Sequence, residues 1–294
     1  ILMSGYDVLL IDFKLEIPNT NNLLRQGGAK AIITGDSIDY EVKTLNLENI
    51  KNTKEQEKIP SRWGDNVMFC SSGTTGDIKI VVTDGKAMCN QIMSAHDIPK
   101  FSRDLMHPGK IRSLAMLPFH HIFGFNVNLM WFSFFGKTLV YPFNNKPKNI
   151  MFAAKKAKCT HLFSVPYLWD MLSKGLEETL IKSFPKNPTL LNDIISYKVE
   201  NVGNKKSLKY EIIIKLIQKK MLGTSIRFCI SGGGNLSERT SKIINSIGYP
   251  LHNGYGSTEI GVCSVDLSNN IQDICKRSIG KPFFGFSFKE SDDE

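Results

Sequence analysis

The chain has 294 residues, of which 41% are hydrophobic and 22% charged. Those fractions exclude a disordered segment, a collagen and a simple coiled coil, and the length accommodates about two domains. Lys and Arg number 37 against 28 Asp and Glu, a net charge of +9. That balance fits an anionic partner (nucleotide, nucleic acid or membrane surface) without choosing among them.

In chain order, residues 6–12 predict a strand, 19–28 a helix closed by glycines, and 29–34 a second strand stopped by Gly35 and Asp36. That alternation argues for a parallel α/β sheet. Residues 51–58 form a charged connector. Residues 67–70 read as a strand that runs into a polar, glycine-bearing loop over 71–77, followed by an apolar run over 79–83. A helix is expected over 86–98 and a buried strand over 114–117, ended by Pro118. Residues 138–141, 161–165 and 226–231 predict further core strands. Residues 177–222 are rich in lysine. Within them Leu208, Ile212, Ile213, Leu216 and Ile217 recur at helical spacing, with Lys209, Lys215, Lys219 and Lys220 between them. Such a helix can touch a membrane surface; the ordinary alternative is a surface helix packed on the core with solvated lysines.

The most apolar stretch, residues 114–135, is interrupted by Pro118, His120, His121, Asn126 and Asn128, so no membrane span is expected there. Cys70, Cys89, Cys159, Cys229, Cys263 and Cys275 show no Cys-x-x-Cys spacing. Neither a zinc site nor a disulfide framework is expected, and a reducing, cytoplasmic setting is. The first residues lack the basic-then-apolar order of a signal peptide, and position 1 is not Met.

Three segments carry chemistry. The first is Ser71-Ser72-Gly73-Thr74-Thr75-Gly76-Asp77-Ile78-Lys79. Its glycines let backbone N–H groups turn inward, its hydroxyls add donors and its lysine adds a point charge, a set suited to phosphate oxygens. It is not a Walker A loop, because Lys79 follows Ile78 rather than glycine. A surface turn is the plain alternative. The second segment, Leu117-Pro118-Phe119-His120-His121-Ile122-Phe123-Gly124, places paired imidazoles after a strand end. Hydrogen-bonded core histidines are the plain alternative, and a metal role lacks neighbouring carboxylates or thiols. The third runs over residues 227–259. It joins a strand to Ser231-Gly232-Gly233-Gly234, then Asn235-Leu236-Ser237-Glu238 opening a helix, then Asn253-Gly254-Tyr255-Gly256-Ser257-Thr258-Glu259. Its glycines permit a flat ligand to approach the backbone, or simply form a tight turn.

Together these segments resemble the adenylate-forming (AMP-binding) superfamily, most like fatty-acyl-CoA synthetases. Ser71 to Gly76 and Lys79 match the family's Ser/Thr-Ser-Gly-Ser/Thr-Thr-Gly-x-Pro-Lys-Gly loop, with Ile78 and Ile80 in place of the usual Pro and Gly. The histidine segment resembles Pro-Leu-Phe-His-x-x-Gly, and residues 255–259 resemble Tyr-Gly-x-Thr-Glu. Ser278-Ile279-Gly280-Lys281-Pro282 resembles the stretch that follows. The resemblance implies an α/β fold of two stacked subdomains with mainly parallel sheets and helices between. Residues 1–113 would carry the phosphate loop, 114–262 the acyl and adenine pocket, and 263–294 the start of a β-rich subdomain.

It also implies roles. Ser71, Ser72, Gly73, Thr74, Thr75, Gly76 and Lys79 would hold phosphates, and the first and third segments would face one triphosphate. His121 would border the acyl and adenylate pocket, with Phe123 and Gly124 as its wall. Gly232, Gly233, Gly234, Asn253, Gly254, Tyr255 and Gly256 would surround adenine, with the tyrosine stacked on it. Thr258 would contact phosphate and Glu259 would help hold Mg²⁺; these two and His121 are the expected catalytic residues. The implied activity is ATP-dependent conversion of a carboxylic acid, expected to be a fatty acid, to acyl-AMP and then acyl-CoA. ATP, Mg²⁺ and coenzyme A would take part; nucleic acid is not an expected partner, and contact with a membrane is at most peripheral. An aryl- or amino-acid adenylating enzyme and a non-catalytic nucleotide-binding descendant remain alternatives. The family's later Thr-Gly-Asp motif, hinge and catalytic lysine have no match in the sequence. An internal piece of a longer enzyme is therefore expected, inactive by itself.

Overall fold

The computed structural model describes residues 1–2, 4–51, 63–72, 78–101, 110–200, 207–283 and 285–289. The chain forms two compact units: Ile1–Cys89 with His120–Ile122, and Asn90–Phe119 with Phe123–Glu294.

The first unit contains β1 (Val8–Leu10), α1 (Ile17–Gln26), β2 (Ala31–Thr34), β3 (Lys43–Asn46), α2 (Leu47–Lys51), β4 (Asn66–Ser72) and β5 (Ile78–Asp84). β1 and β4 are parallel, β5 returns antiparallel beside β4, and β2 and β3 form a separate parallel pair. Pro18 sits in the first turn of α1, where its missing N–H costs no helical bond. Leu23 and Leu24 turn inward. A side chain at Gly27 would lie 2.8 Å from Leu9 Cδ2 and 3.4 Å from Ile80 Cδ1, so the end of α1 rests on β1 and β5. Phe69 of β4 is fully buried.

α3 (Gly85–Phe101) leads into the second unit. There follow β6 (Arg112–Leu114), a π-helix (Gly124–Trp131), α4 (Phe132–Phe134), β7 (Thr138–Val140), α5 (Pro147–Lys156), β8 (His161–Ser164), α6 (Pro166–Ser183) and α7 (Leu190–Ile195). A short π-turn (Ser196–Glu200) precedes α8 (Leu208–Lys220), β9 (Phe228–Ser231), α9 (Glu238–Ser246), β10 (Leu251–Ser257), β11 (Gly261–Val265), α10 (Ile271–Cys275) and β12 (Lys281–Pro282). Seven strands make one sheet in the order β12-β11-β10-β9-β8-β6-β7. The run from β10 to β7 is parallel; β11 and β12 are antiparallel.

Alternate side chains of this sheet enter two cores. Leu162 and Cys229 point to one, with Trp169 and Leu172 of α6, Ile194 of α7, Ile214 and Ile217 of α8, and Ile243 and Ile244 of α9. Phe163, Phe228 and Ile230 point to the other, with Ala95 and Ile98 of α3 and Val127, Trp131 and Phe132. Every residue of β8 and β9 is buried, the pattern of strands covered on both faces. The expected strand over 114–117 is shorter in the structure. β6 stops at Leu114, Ala115 N–H still donates to Val140 O at 2.9 Å, and residues 115–117 continue as buried irregular chain. Among the described residues no helix is long and apolar enough to cross a membrane.

All six cysteines are free. Cys89 is exposed and Cys70 half-buried; Cys159, Cys229, Cys263 and Cys275 are buried. Burial pushes the Cys159 thiol up to about 11 and raises Cys229, Cys263 and Cys275 as well. Thiolate is the reactive form. A disulfide reagent at pH 8 should therefore modify Cys89 first, and those four only after unfolding. Fast labelling of Cys229 in the native chain, read by peptide mass spectrometry, would contradict this packing.

Candidate functional site

In the second unit the parallel pairing of β8, β9 and β10 stops at one level. Ser164 pairs with Ser231, and Ser231 with Asn253. Ligands in α/β sheets bind beyond the carboxyl ends of the strands, and the third motif segment lies there. Gly232 N–H donates to Ser164 O at 3.1 Å, the last rung of the β8–β9 ladder. Gly233 follows at φ +79°, and Gly234 faces Pro166. Ser237 Oγ then accepts from Thr240 N at 3.1 Å and caps α9. A side chain at Gly232 would lie 3.2 Å from the Phe123 ring and 3.6 Å from Gly254 O. The structure therefore joins Phe123 of the second motif segment to both glycine-bearing stretches of the third.

Asn253 is held by its Nδ2, which donates to Arg277 O at 2.9 Å. Its Oδ1 is buried and meets no donor among the described residues. An exocyclic amino group is the kind of donor this atom lacks. Tyr255 is 45% exposed, leaving its ring available for stacking. Phe288 stands edge-on to it, with centroids 6.3 Å apart. β10 and β11 then form a hairpin with a register shift between Tyr255 and Gly256. A Cβ at 256 would lie 2.2 Å from Gly261 O, so the strands can close only on glycine. Thr258, half-buried, and Glu259, exposed, occupy the hairpin turn. Ser257 Oγ donates to Glu259 Oε2 at 2.6 Å and aims the carboxylate.

Gln91, on α3, had no signal in the sequence. It is 4% exposed and ties this turn to the core. Its Nε2 donates to Ile260 O at 3.3 Å. Its Oε1 accepts from Val262 N at 2.9 Å and from Asn126 Nδ2 at 3.1 Å. Its backbone carbonyl accepts from Trp131 Nε1 at 2.8 Å. A glutamine inside a helix has no sequence signature; only the fold brings 260 and 262 to it.

The first unit holds the other expected residues. Ser71 pairs with Lys79, and Ser72 with Ile78, at the open end of the β4–β5 hairpin. Ser71 is half-buried and Lys79 exposed. Gly73, Thr74, Thr75 and Gly76 lie outside the described residues. His121 is exposed, its ring 4.3 Å from that of His120. His120 Nε2 lies 3.6 Å from Asp12 Oδ2. Burial, and then the neighbouring His121, hold the His120 imidazole below its ordinary 6.5, while Asp12 pulls it up.

A depression also opens at the opposite, amino-terminal ends of β9 and β10, lined by Arg227, Phe228, Pro250 and His252. Phe228 and His252 stack there at 4.1 Å. It lies at the other end of these strands from the glycine turn over 231–234 and from residues 253–259, and we place the functional site at the carboxyl ends.

No group of three or more His, Cys, Asp or Glu among the described residues is placed to hold a metal. A lone carboxylate at a hairpin tip fits Mg²⁺, which takes one or two carboxylates and fills the rest of its shell with phosphate oxygens and water.

Two predictions test this geometry. Gln91→Leu strands the Val262 N–H and the Asn126 amide nitrogen in the core, and each unsatisfied group costs about 1–3 kcal/mol. Urea denaturation should show a loss of that order, and an unchanged midpoint would reject the role. His120 has a depressed value in the folded chain, so the unfolded chain binds its proton first. The stability this group contributes is complete above about pH 6.5 and is lost as pH falls from there through its folded value. The urea midpoint should drop between pH 7.5 and 5.5, and His120→Asn should flatten part of that drop.

Comparison with known proteins gives the family and the fold. Residues 1–294 match the family model described as AMP-binding enzyme. Long chain acyl-CoA synthetase 8 of Arabidopsis thaliana is 27% identical over 267 residues, covering 85% of this chain and 35% of its own. Long-chain-fatty-acid–CoA ligase 2 of Schizosaccharomyces pombe is 26% identical over 278 residues, covering 88% and 38%. The chain thus spans well under half the length of these curated relatives. An o-succinylbenzoate CoA synthetase from Bacillus subtilis, solved in complex with its acyl-adenylate intermediate, shares the fold. Its TM-score is 0.69 at 18% identity, over 96% of this chain and 50% of that one. The chain belongs to the AMP-binding enzyme family and has the α/β fold of the large amino-terminal domain of adenylate-forming enzymes.

Proposed function

We propose that the protein activates a long-chain fatty acid with ATP and passes the acyl group to coenzyme A. The observation that carries the reading is the end of β10. There Asn253 offers a buried, unpartnered oxygen, Tyr255 an exposed ring and Glu259 a carboxylate, one after another along a single strand and turn. Membership of the AMP-binding family and likeness to the two long-chain acyl-CoA ligases support it.

In the first step a carboxylate oxygen attacks the α-phosphorus of ATP. The bond to pyrophosphate breaks and acyl-AMP forms. In the second, the coenzyme A thiol loses its proton and attacks the acyl carbon, and AMP leaves. The first step brings two anions together, so the protein must neutralise charge and hold the reactants in line. Asn253 and Tyr255 would fix the adenine. Thr258 would donate to phosphate, and Ser71, Ser72 and Lys79, with the loop between, would steady the β- and γ-phosphates. Glu259 would hold Mg²⁺, which when bound offsets phosphate charge. His121 would border the acyl pocket beside Phe123.

A polar or aryl acid is the second reading, on one observation. Asn128, in the π-helix after Phe123, is fully buried, and neither its oxygen nor its nitrogen has a partner among the described residues. Such an amide is satisfied by a polar group beside it.

ATP–pyrophosphate exchange with a panel of carboxylic acids, on the full-length gene product, separates these readings. Long saturated acids should give the fastest exchange; a preference for aryl acids moves the assignment to the second reading. Glu259→Gln should lower exchange about 100-fold, the usual effect of losing one electrostatic contact to the transition state. Wild-type exchange in that variant removes Glu259 from the mechanism. Exchange with no acid at all sinks the activity itself.

A further inference from the structure

α8 of the second unit carries more aliphatic surface than the core uses. Ile214 and Ile217 point inward. Leu208, Ile212 and Leu216, one per turn, face outward and are 75%, 50% and 52% exposed. A helix that only covers a core keeps its outer face polar. Here the remaining exposed positions are Lys209, Lys215, Lys219 and Lys220. At 100° per residue Lys215 and Lys219 lie along the aliphatic stripe near Leu208, and Lys209 and Lys220 border its other side. Glu211, the only acid in the helix, is turned away. Tyr197 Oη donates to it at 3.0 Å and Lys198 Nζ at 2.6 Å. The last turn of α5 reaches the same end of α8, where Lys155 Nζ donates to Lys220 O at 3.3 Å. α5 contains no acid, and its Phe152 is 59% exposed with the Lys156 ammonium 5.4 Å above the ring.

We infer that this face lies on the surface of an anionic phospholipid bilayer. The occupant follows from charge and pattern together. Lysines on both flanks of an aliphatic stripe match headgroup phosphates on either side of acyl chains, with the long lysine stems reaching past the stripe to the phosphates. A nucleic acid would match the lysines and leave three aliphatic side chains in water. An acidic protein would match the lysines too, but the aliphatics would then need a shaped groove rather than a plane. The helix lies on the bilayer rather than through it: α8 has 13 residues, four of its exposed side chains being lysine. The proposal does not depend on the acid-activation reading.

Flotation of the purified 294-residue chain with lipid vesicles tests it. The chain should float with vesicles containing about 30% phosphatidylglycerol and at least about tenfold less with phosphatidylcholine alone, because the lysines need anionic headgroups. Replacing Leu208, Ile212 and Leu216 together by Ser should cut binding to the anionic vesicles at least about tenfold, because the apolar area supplies the insertion. All three are exposed, so thermal melting should not change. Replacing Lys209, Lys215, Lys219 and Lys220 by Gln should reduce binding to a similar extent and remove most of its salt dependence. Equal flotation of the wild type and the Ser variant would overturn the assignment, since the +9 chain would then bind by charge alone. Tight single-stranded RNA binding that the Gln variant loses and the Ser variant keeps would assign the face to nucleic acid instead.

Discussion

The second unit depends on its parallel register. When β8, β9 and β10 run side by side with helices on both faces, no polar side chain along their length has water to turn to. Chemistry is excluded from the body of the sheet and concentrated where the strands stop. The parallel pairing stops at one level, where Ser164, Ser231 and Asn253 are register partners, and β10 runs on from there to Ser257. The last rung of the β8–β9 ladder runs from Gly232 N–H to Ser164 O, and Gly233 at φ +79° then turns the chain away. The glycine-rich turn, the adenine-motif strand and the Phe123 ring then occupy the same few ångströms. Ser231 Oγ and Asn253 Oδ1, buried at this edge, have no partner among the described residues.

A two-stranded hairpin does not fix its own tip, and the tip between β10 and β11 bears Thr258 and Glu259. In this chain the tip is held from behind. The Gln91 carboxamide gives one bond and takes two, and two of the three go to the backbone on either side of Gly261. A side chain at 261 would collide with that same carboxamide at 2.6 Å, so glycine and glutamine constrain each other. The network is buried, which makes each bond strong and each loss expensive. It links α3, the π-helix and the turn bearing Glu259 into one rigid piece.

Much of this was legible in the sequence, and the failures have physical causes. Strands 226–231 and 161–165 were legible because strands buried on both faces read as unbroken apolar runs between turn residues. The helix opening over 235–238 was legible because polar opening residues are local chemistry; the structure puts the cap on Ser237. The π-helix over Gly124–Trp131 was not, since it is apolar all round and shows no stripe from which a period can be read. α8 misled in its phase. With Leu or Ile at 208, 212, 213, 214, 216 and 217, several stripes fit equally well. Packing chose Ile214 and Ile217, leaving three members of the expected stripe in solvent. The strand over 114–117 was read too long because burial and strand pairing usually coincide, and after Leu114 they part. Gln91 illustrates the general limit: its partners lie about 170 residues away along the chain, and nothing local marks it.

The two departures from the family's phosphate-loop pattern have a structural account. A proline at 78 would stiffen the loop exit but has no N–H to give a ladder. Ile78 instead opens β5 and pairs with Ser72. A glycine at 80 would leave a gap over the end of α1. Ile80 fills it, pairing with Cys70 and reaching the position where a side chain at Gly27 would stand. Lys79, between them, is thrown to the opposite, exposed side by strand alternation. The β-branched residues on either side of Lys79 thus act by pairing and packing, and the ends of β4 and β5 that flank the loop stay in register.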